Sequence, residues 1–251
     1  MASNKRILKA EAALLLTLTM LFSAKNVEAE DPYAEEIAKI YNIEVFDRPK
    51  YAEELLYDID ALPEGLKEYL IKNKLNIKLL AGTEDADRFL KEEYGYSIGE
   101  VNGYTSYGDD GSTTIYVECG LDIERYKFET KRGLKMSKEE FGYLRARDTL
   151  FHEMGHFIDG VTDFELSYYN DEFEDIRCDE WTNYRDTDHF KNVNLSVYAN
   201  IRGSVEYFAT TFACYMTEPE VLKENCPRTY EYIDKYMQGI NLEYSPKKLV
   251  R

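Results

Sequence analysis

His152 and His156 stand four residues apart, and they are two of only three histidines in a chain of 251 residues. The surrounding stretch reads Leu150-Phe151-His152-Glu153-Met154-Gly155-His156-Phe157-Ile158. A helix that is apolar most of the way round belongs inside the molecule rather than on its surface. Positions i and i+4 lie one above the other on a helix, so a fold that accepts this segment must bury a central helix with both imidazoles on one face. Upstream, Ser137-Lys138-Glu139-Glu140 has the pattern of a capping box. It predicts a helix that starts there and runs to about Asp159, with Gly160 placed to stop it.

The remaining signals frame that helix. Asp31-Pro32 opens a helical pattern with Ala34, Ile37, Ala38 and Tyr41 on one face, and Leu55, Leu56 and Ile59 mark a second short helix. Pro63 starts a third through Ile71. Asn76 to Ala81 reads as a strand, followed by Thr83 capping a helix to about Glu93. Gly95 to Gly111 holds five glycines and reads as loop, and Thr113 to Cys119 reads as a strand of β-branched and aromatic residues. Ser204 caps a helix reaching Met216, Pro219 starts a short one, and Pro227 starts another ending near Gly239. These elements predict a single α+β domain over residues 30–251: a small mixed sheet, a central helix and a helical C-terminal half.

Residues 1–29 have a different character. Lys5, Arg6 and Lys9 precede an apolar run from Ala12 to Phe22, and Val27-Glu28-Ala29 supplies small residues at the minus-three and minus-one positions of a cleavage site. That is the layout of a secretory signal peptide, and the run is shorter than the roughly twenty residues a spanning helix needs. The expectation is a secreted, extracellular protein with no membrane attachment after cleavage. Net charge is −17, and the leader carries more basic than acidic residues, so the remainder is more acidic still. Such a surface repels nucleic acid and anionic lipid. The expected partner is a protein or peptide substrate, and the expected state is a monomer. Cys119, Cys178, Cys214 and Cys226 form no CxxC pair, which argues against a cysteine zinc site. In an exported chain they allow two disulfides in three connectivities, or free buried thiols.

The chemistry lies in the histidine pair and in the glutamate between them. Two imidazoles on one helical face can reach a single tetrahedral metal, and Glu153 is placed to take a proton from water and pass it to a leaving amine. Zn2+ is the expected ion, one per chain, and it requires a third protein ligand. Positions 159 and 162 hold Asp159 and Thr162, so the motif does not extend to a third nearby histidine. His189 lies in a polar stretch and reads as a surface residue. A carboxylate from a later helix is therefore expected, either Glu206 or one of Glu172, Glu174 and Glu180. Glu206 stands between Val205 and Tyr207-Phe208-Ala209, where an unpaired carboxylate is costly; the other three sit in an acidic run that reads as a solvated face.

Three ordered stretches carry a resemblance: Phe151 to Asp159, then Leu195-Ser-Val-Tyr198 leading to Val205-Glu-Tyr-Phe-Ala209, then Leu222 to Tyr230. Together they resemble the zincin-like peptidases related to the catalytic domain of anthrax lethal factor, which include secreted Pro-Pro endopeptidases. The resemblance implies His152, His156 and Glu206 as zinc ligands and Glu153 as general base. It also implies Tyr198 as a hydroxyl donor to the tetrahedral intermediate, a secreted endopeptidase activity, and cleavage next to proline. Two departures stand out. The Tyr198-to-Glu206 interval is one residue longer than in lethal factor, and Thr210 occupies a position where that family usually has a second glutamate. Thr113 to Val117 fits the edge strand that pairs with substrate in such enzymes. A catalytically silent binding protein or adhesin on the same scaffold, and a thermolysin-like site using Glu174 or Glu180, are the rival readings.

Overall fold

A computed structural model describes residues 31–47, 49–82, 88, 91, 102–120, 123–131, 133, 135–187, 189–190 and 203–244. The leader, Thr83 and Tyr198 lie outside these residues, as does nearly all of the helix expected up to Glu93. The described chain is α+β, with nine helices, a small mixed sheet and a helical second half. Helix α1 (Pro32–Ile40) is capped by Asp31, whose side chain accepts from the Tyr33 amide. It is followed by β1 (Ile43–Val45), α2 (Ala52–Asp60), α3 (Glu64–Lys72), β2 (Leu75–Leu80), β3 (Gly103–Tyr107) and β4 (Thr113–Glu118). Then come α4 (Ile123–Lys131), the central α5 (Lys138–Val161), α6 (Asp171–Arg185), α7 (Ser204–Thr217), α8 (Pro219–Asn225) and α9 (Pro227–Tyr244).

The sheet order is β1-β2-β4-β3, parallel from β1 to β4 and antiparallel between β4 and β3. Ile77 faces Ile115 and Leu79 faces Val117 across the β2–β4 pair, and all four are buried. The sheet departs from the sequence expectation in two places. Thr113 to Val117 is an interior strand, hydrogen-bonded to β2 on one side and β3 on the other. The strand beyond it, at that end of the described sheet, is β3, which lies within the glycine-rich stretch read as loop. Its Tyr104, Thr105 and Tyr107 pair with Tyr116, Ile115 and Thr113, and that pairing overrides the weak local propensity.

Ser137 caps α5 by accepting from the Glu140 amide. The helix continues two residues past Asp159, and Thr162 is its C-cap. Leu150, Met154, Phe157 and Ile158 are fully buried along it. Helix α7 crosses α5 with very small residues at the contact: a Cβ on Gly155 would lie 2.8 Å from the Ala209 Cα. Only glycine lets the two backbones approach this closely. All four cysteines are free thiols, three of them buried. Among the described residues no helix is long and apolar enough to cross a membrane.

Candidate metal centre

The α5–α7 crossing brings three side chains to one point. His152 Nε2 and His156 Nε2 are 3.1 Å apart. Glu206 Oε2, from the first turn of α7, is 3.4 Å from His152 Nε2 and 3.6 Å from His156 Nε2. Around a tetrahedral ion with bonds of about 2.0–2.1 Å, neighbouring ligand atoms should be about 3.3–3.4 Å apart. The observed triangle matches that spacing. Two imidazole nitrogens and one carboxylate oxygen also form a donor set suited to zinc. Among the described residues this is the one group of three or more such side chains positioned to hold a metal ion.

The surroundings fit a dry, charge-balanced site. His152 and Glu206 are 8 % and 9 % exposed. Burial disfavours the Glu206 carboxylate, but hydrogen bonds from His152 and His156 outweigh it and hold its pKa well below the usual carboxylate range. Burial likewise works against the His152 imidazolium, and Glu206, Glu153 and Asp148 outweigh it and raise its pKa. The remaining ring nitrogen of His152, Nδ1, lies 3.3 Å from Thr210 Oγ1. Thr210, one turn after Glu206, thus meets the imidazole with a neutral hydroxyl. A partner at Nδ1 fixes ring orientation and leaves Nε2 to face the other ligands.

Glu153 points toward the sheet side of the same helix. It is 6 % exposed, and its Oε2 accepts a 2.6 Å hydrogen bond from Thr105 Oγ1 on β3. Tyr107, two residues along β3, donates from its hydroxyl to the His156 carbonyl at 2.8 Å. Neither contact was anticipated from sequence. The alternation of Thr105 and Tyr107 on one strand face was a usable signal, masked by the glycines around it.

The rival carboxylates lie elsewhere. Glu174 pairs with Arg177 on its own helix. Glu180 is not solvated as the acidic run implied, but only 5 % exposed. Its oxygens accept from the Arg228 amide at 3.0 Å, the Thr229 amide at 2.9 Å and Thr229 Oγ1 at 2.7 Å. It therefore caps the N-terminus of α9, where unpaired amides and the helix dipole favour a carboxylate. Glu172 lies in the exposed first turn of α6. His189 also departs from expectation. It is 3 % exposed, with Nε2 3.2 Å from Asp148 Oδ1 and Nδ1 3.4 Å from Glu218 Oε1.

The family model described as anthrax toxin lethal factor, N- and C-terminal domain, matches residues 28–236. The chain belongs to the anthrax lethal factor family. The match spans both the sheet and the two helices that carry the triad, so in this lethal factor relative the candidate centre lies inside the shared region. No curated protein sequence matches the chain.

Proposed function

We propose that this lethal factor relative is a zinc-dependent endopeptidase, with His152, His156 and Glu206 as metal ligands and Glu153 as general base. The observation that carries the reading is the convergence within 3.6 Å of one Oε2 from α7 and two Nε2 atoms from α5, the helix that also presents Glu153. When bound, zinc supplies Lewis acidity that brings the pKa of a coordinated water to about 7. The protein's own groups do the rest. Glu153 takes the proton of the attacking water and delivers it to the amide nitrogen as the peptide C–N bond breaks. Thr210 keeps the His152 ring oriented, and the buried surroundings exclude competing water. Tyr198 is the proposed hydroxyl donor to the developing oxyanion, a role that rests on the resemblance alone.

Residues 1–29 are proposed as a cleaved secretory leader, with 30–251 forming one extracellular catalytic domain that acts as a monomer on protein or peptide substrates. The strongly acidic composition makes nucleic acid an unsuitable partner. Cleavage next to proline is the first specificity to try. Extended peptides would run along β3, the terminal strand of the described sheet that reaches Glu153.

The test is peptide-library cleavage by the wild-type chain, the same chain treated with chelator, and Glu153→Ala. Chelator should abolish cleavage and zinc should restore it. Glu153→Ala should keep one equivalent of metal and lose at least about 100-fold in kcat. A chelator-resistant activity, or a fully active Glu153→Ala, overturns the peptidase reading. A wild-type chain that binds zinc and cleaves nothing identifies a silent binding protein instead.

A further inference from the structure

The inference drawn here deepens the peptidase reading and rests on it. We propose that Thr105 is a positioning residue for Glu153: its hydroxyl fixes the rotation of the carboxylate and so selects which oxygen handles the proton.

Three contacts lie behind this, all from the face of β3 that meets α5. Thr105 Oγ1 donates to Glu153 Oε2 at 2.6 Å, a charge-assisted bond of the short, strong kind. Among the described residues it is the hydrogen bond that reaches this carboxylate. Two residues earlier, Gly103 lies against the other oxygen: an added Cβ would be 2.6 Å from Glu153 Oε1 and 2.8 Å from Glu153 Cγ. Two residues later, Tyr107 donates to the His156 carbonyl and fixes the strand against the turn that follows Glu153. A strand repeats its side-chain direction every two residues. Gly103, Thr105 and Tyr107 therefore act as one face, giving room, a donor and an anchor in turn.

The consequence is geometric. A carboxylate on a long side chain rotates freely unless an acceptor is used on one side. With Oε2 engaged by Thr105, Oε1 is the oxygen left to accept and return a proton. Threonine suits the task because its β-branch restricts χ1, so its hydroxyl is already aimed. Valine has nearly the same shape and lacks the donor.

The experiment compares Thr105→Val and Thr105→Ser in the full chain, loaded with zinc. The probe is a quenched fluorescent peptide that the wild type cleaves in a chelator-sensitive way. Thr105→Val should lower kcat by about 10- to 100-fold with KM within about twofold, since the lost alignment matters in the transition state. Thr105→Ser should return kcat to within about threefold of wild type. Metal content and thermal midpoint should be unchanged in both. Crystals of metal-free Thr105→Val should show the Glu153 carboxylate rotated from its wild-type position, and those of Thr105→Ser should not. Equal kcat in Thr105→Val and wild type, an effect confined to KM, or an unmoved carboxylate overturns the proposal. If valine prevents folding, Thr105→Ala is judged by the same measurements. If the wild type shows no chelator-sensitive cleavage, the peptidase reading fails, and the crystal comparison alone then decides whether Thr105 holds Glu153.

Discussion

Helices α5 and α7 are joined twice by histidine and carboxylate, with different results. At one junction His152 and His156 meet Glu206; one turn toward the start of α5, Asp148 meets His189, which meets Glu218 just beyond α7. The first has two imidazoles and one acid, with all three donor atoms turned inward on one point. The second has one imidazole between two acids, which occupy opposite ring nitrogens. An inward-facing set directs its lone pairs at one point that a shared cation can fill, whereas an imidazolium between two carboxylates is itself the cation. Composition alone does not separate a metal site from a clasp. The direction of the lone pairs does.

Removing the acids one at a time separates the two junctions most directly. Glu206→Ala should weaken zinc binding by orders of magnitude, measured by competition with a chromogenic chelator, because a catalytic centre has only three protein ligands. Glu218→Ala, Glu174→Ala and Glu180→Ala should bind zinc as the wild type does. Equal loss on removing Glu218 would mean that the two junctions are not distinct in kind.

His189 tests the clasp. His189→Gln should leave zinc affinity unchanged and destabilise the fold by about 3 kcal/mol, since it removes the imidazolium that faces the buried Asp148. Fluorescence of Trp181, the sole tryptophan, reports the unfolding. Burial lowers the His189 pKa, but Asp148, Cys214 and Glu218 outweigh it and raise it well above the ordinary imidazole value. Tyr184 packs against the ring as well. A raised folded-state pKa gives stabilisation that is complete below about pH 6.5 and is lost as pH climbs through the folded value. Wild-type stability should therefore fall on the alkaline side, and His189→Gln should flatten that fall. The smallest effect belongs to Thr210→Val, which removes the hydroxyl at His152 Nδ1. It should lower zinc affinity about tenfold and leave the thermal midpoint of the metal-free chain within a few degrees.

Much of this was legible in the sequence wherever local chemistry and burial agreed. The caps at Asp31 and Ser137, the existence of strands β2 and β4, and the apolar setting of Glu206 are signals of that kind. The misses occurred where they conflicted. Helix α6 is absent from the reading because its first turn is acidic, yet Asn170 caps it and Phe173, Ile176, Glu180 and Tyr184 share its buried face. Glu180 stands on that face as a charge in an apolar row, and its partner is the start of a helix nearly fifty residues later. His189 is hidden for a similar reason: its neighbours in sequence are polar, and its partners in space come from α5 and the end of α7. Long-range pairing of a charge leaves no periodic mark on either segment.

The contact between Gly155 and Ala209 sets a tolerance for everything built across it. Both residues lie within a turn of the donors, so the separation of the helix axes is also the span between imidazole and carboxylate. A methyl group added at Gly155 would push α7 outward and carry Glu206 with it. On the proposed reading, metal binding and core packing are coupled at this crossing, because a substitution that moves α7 also moves Glu206. Variation in this relative should therefore accumulate on the outer faces of the helices, leaving the crossing itself as the part of the sequence least able to change.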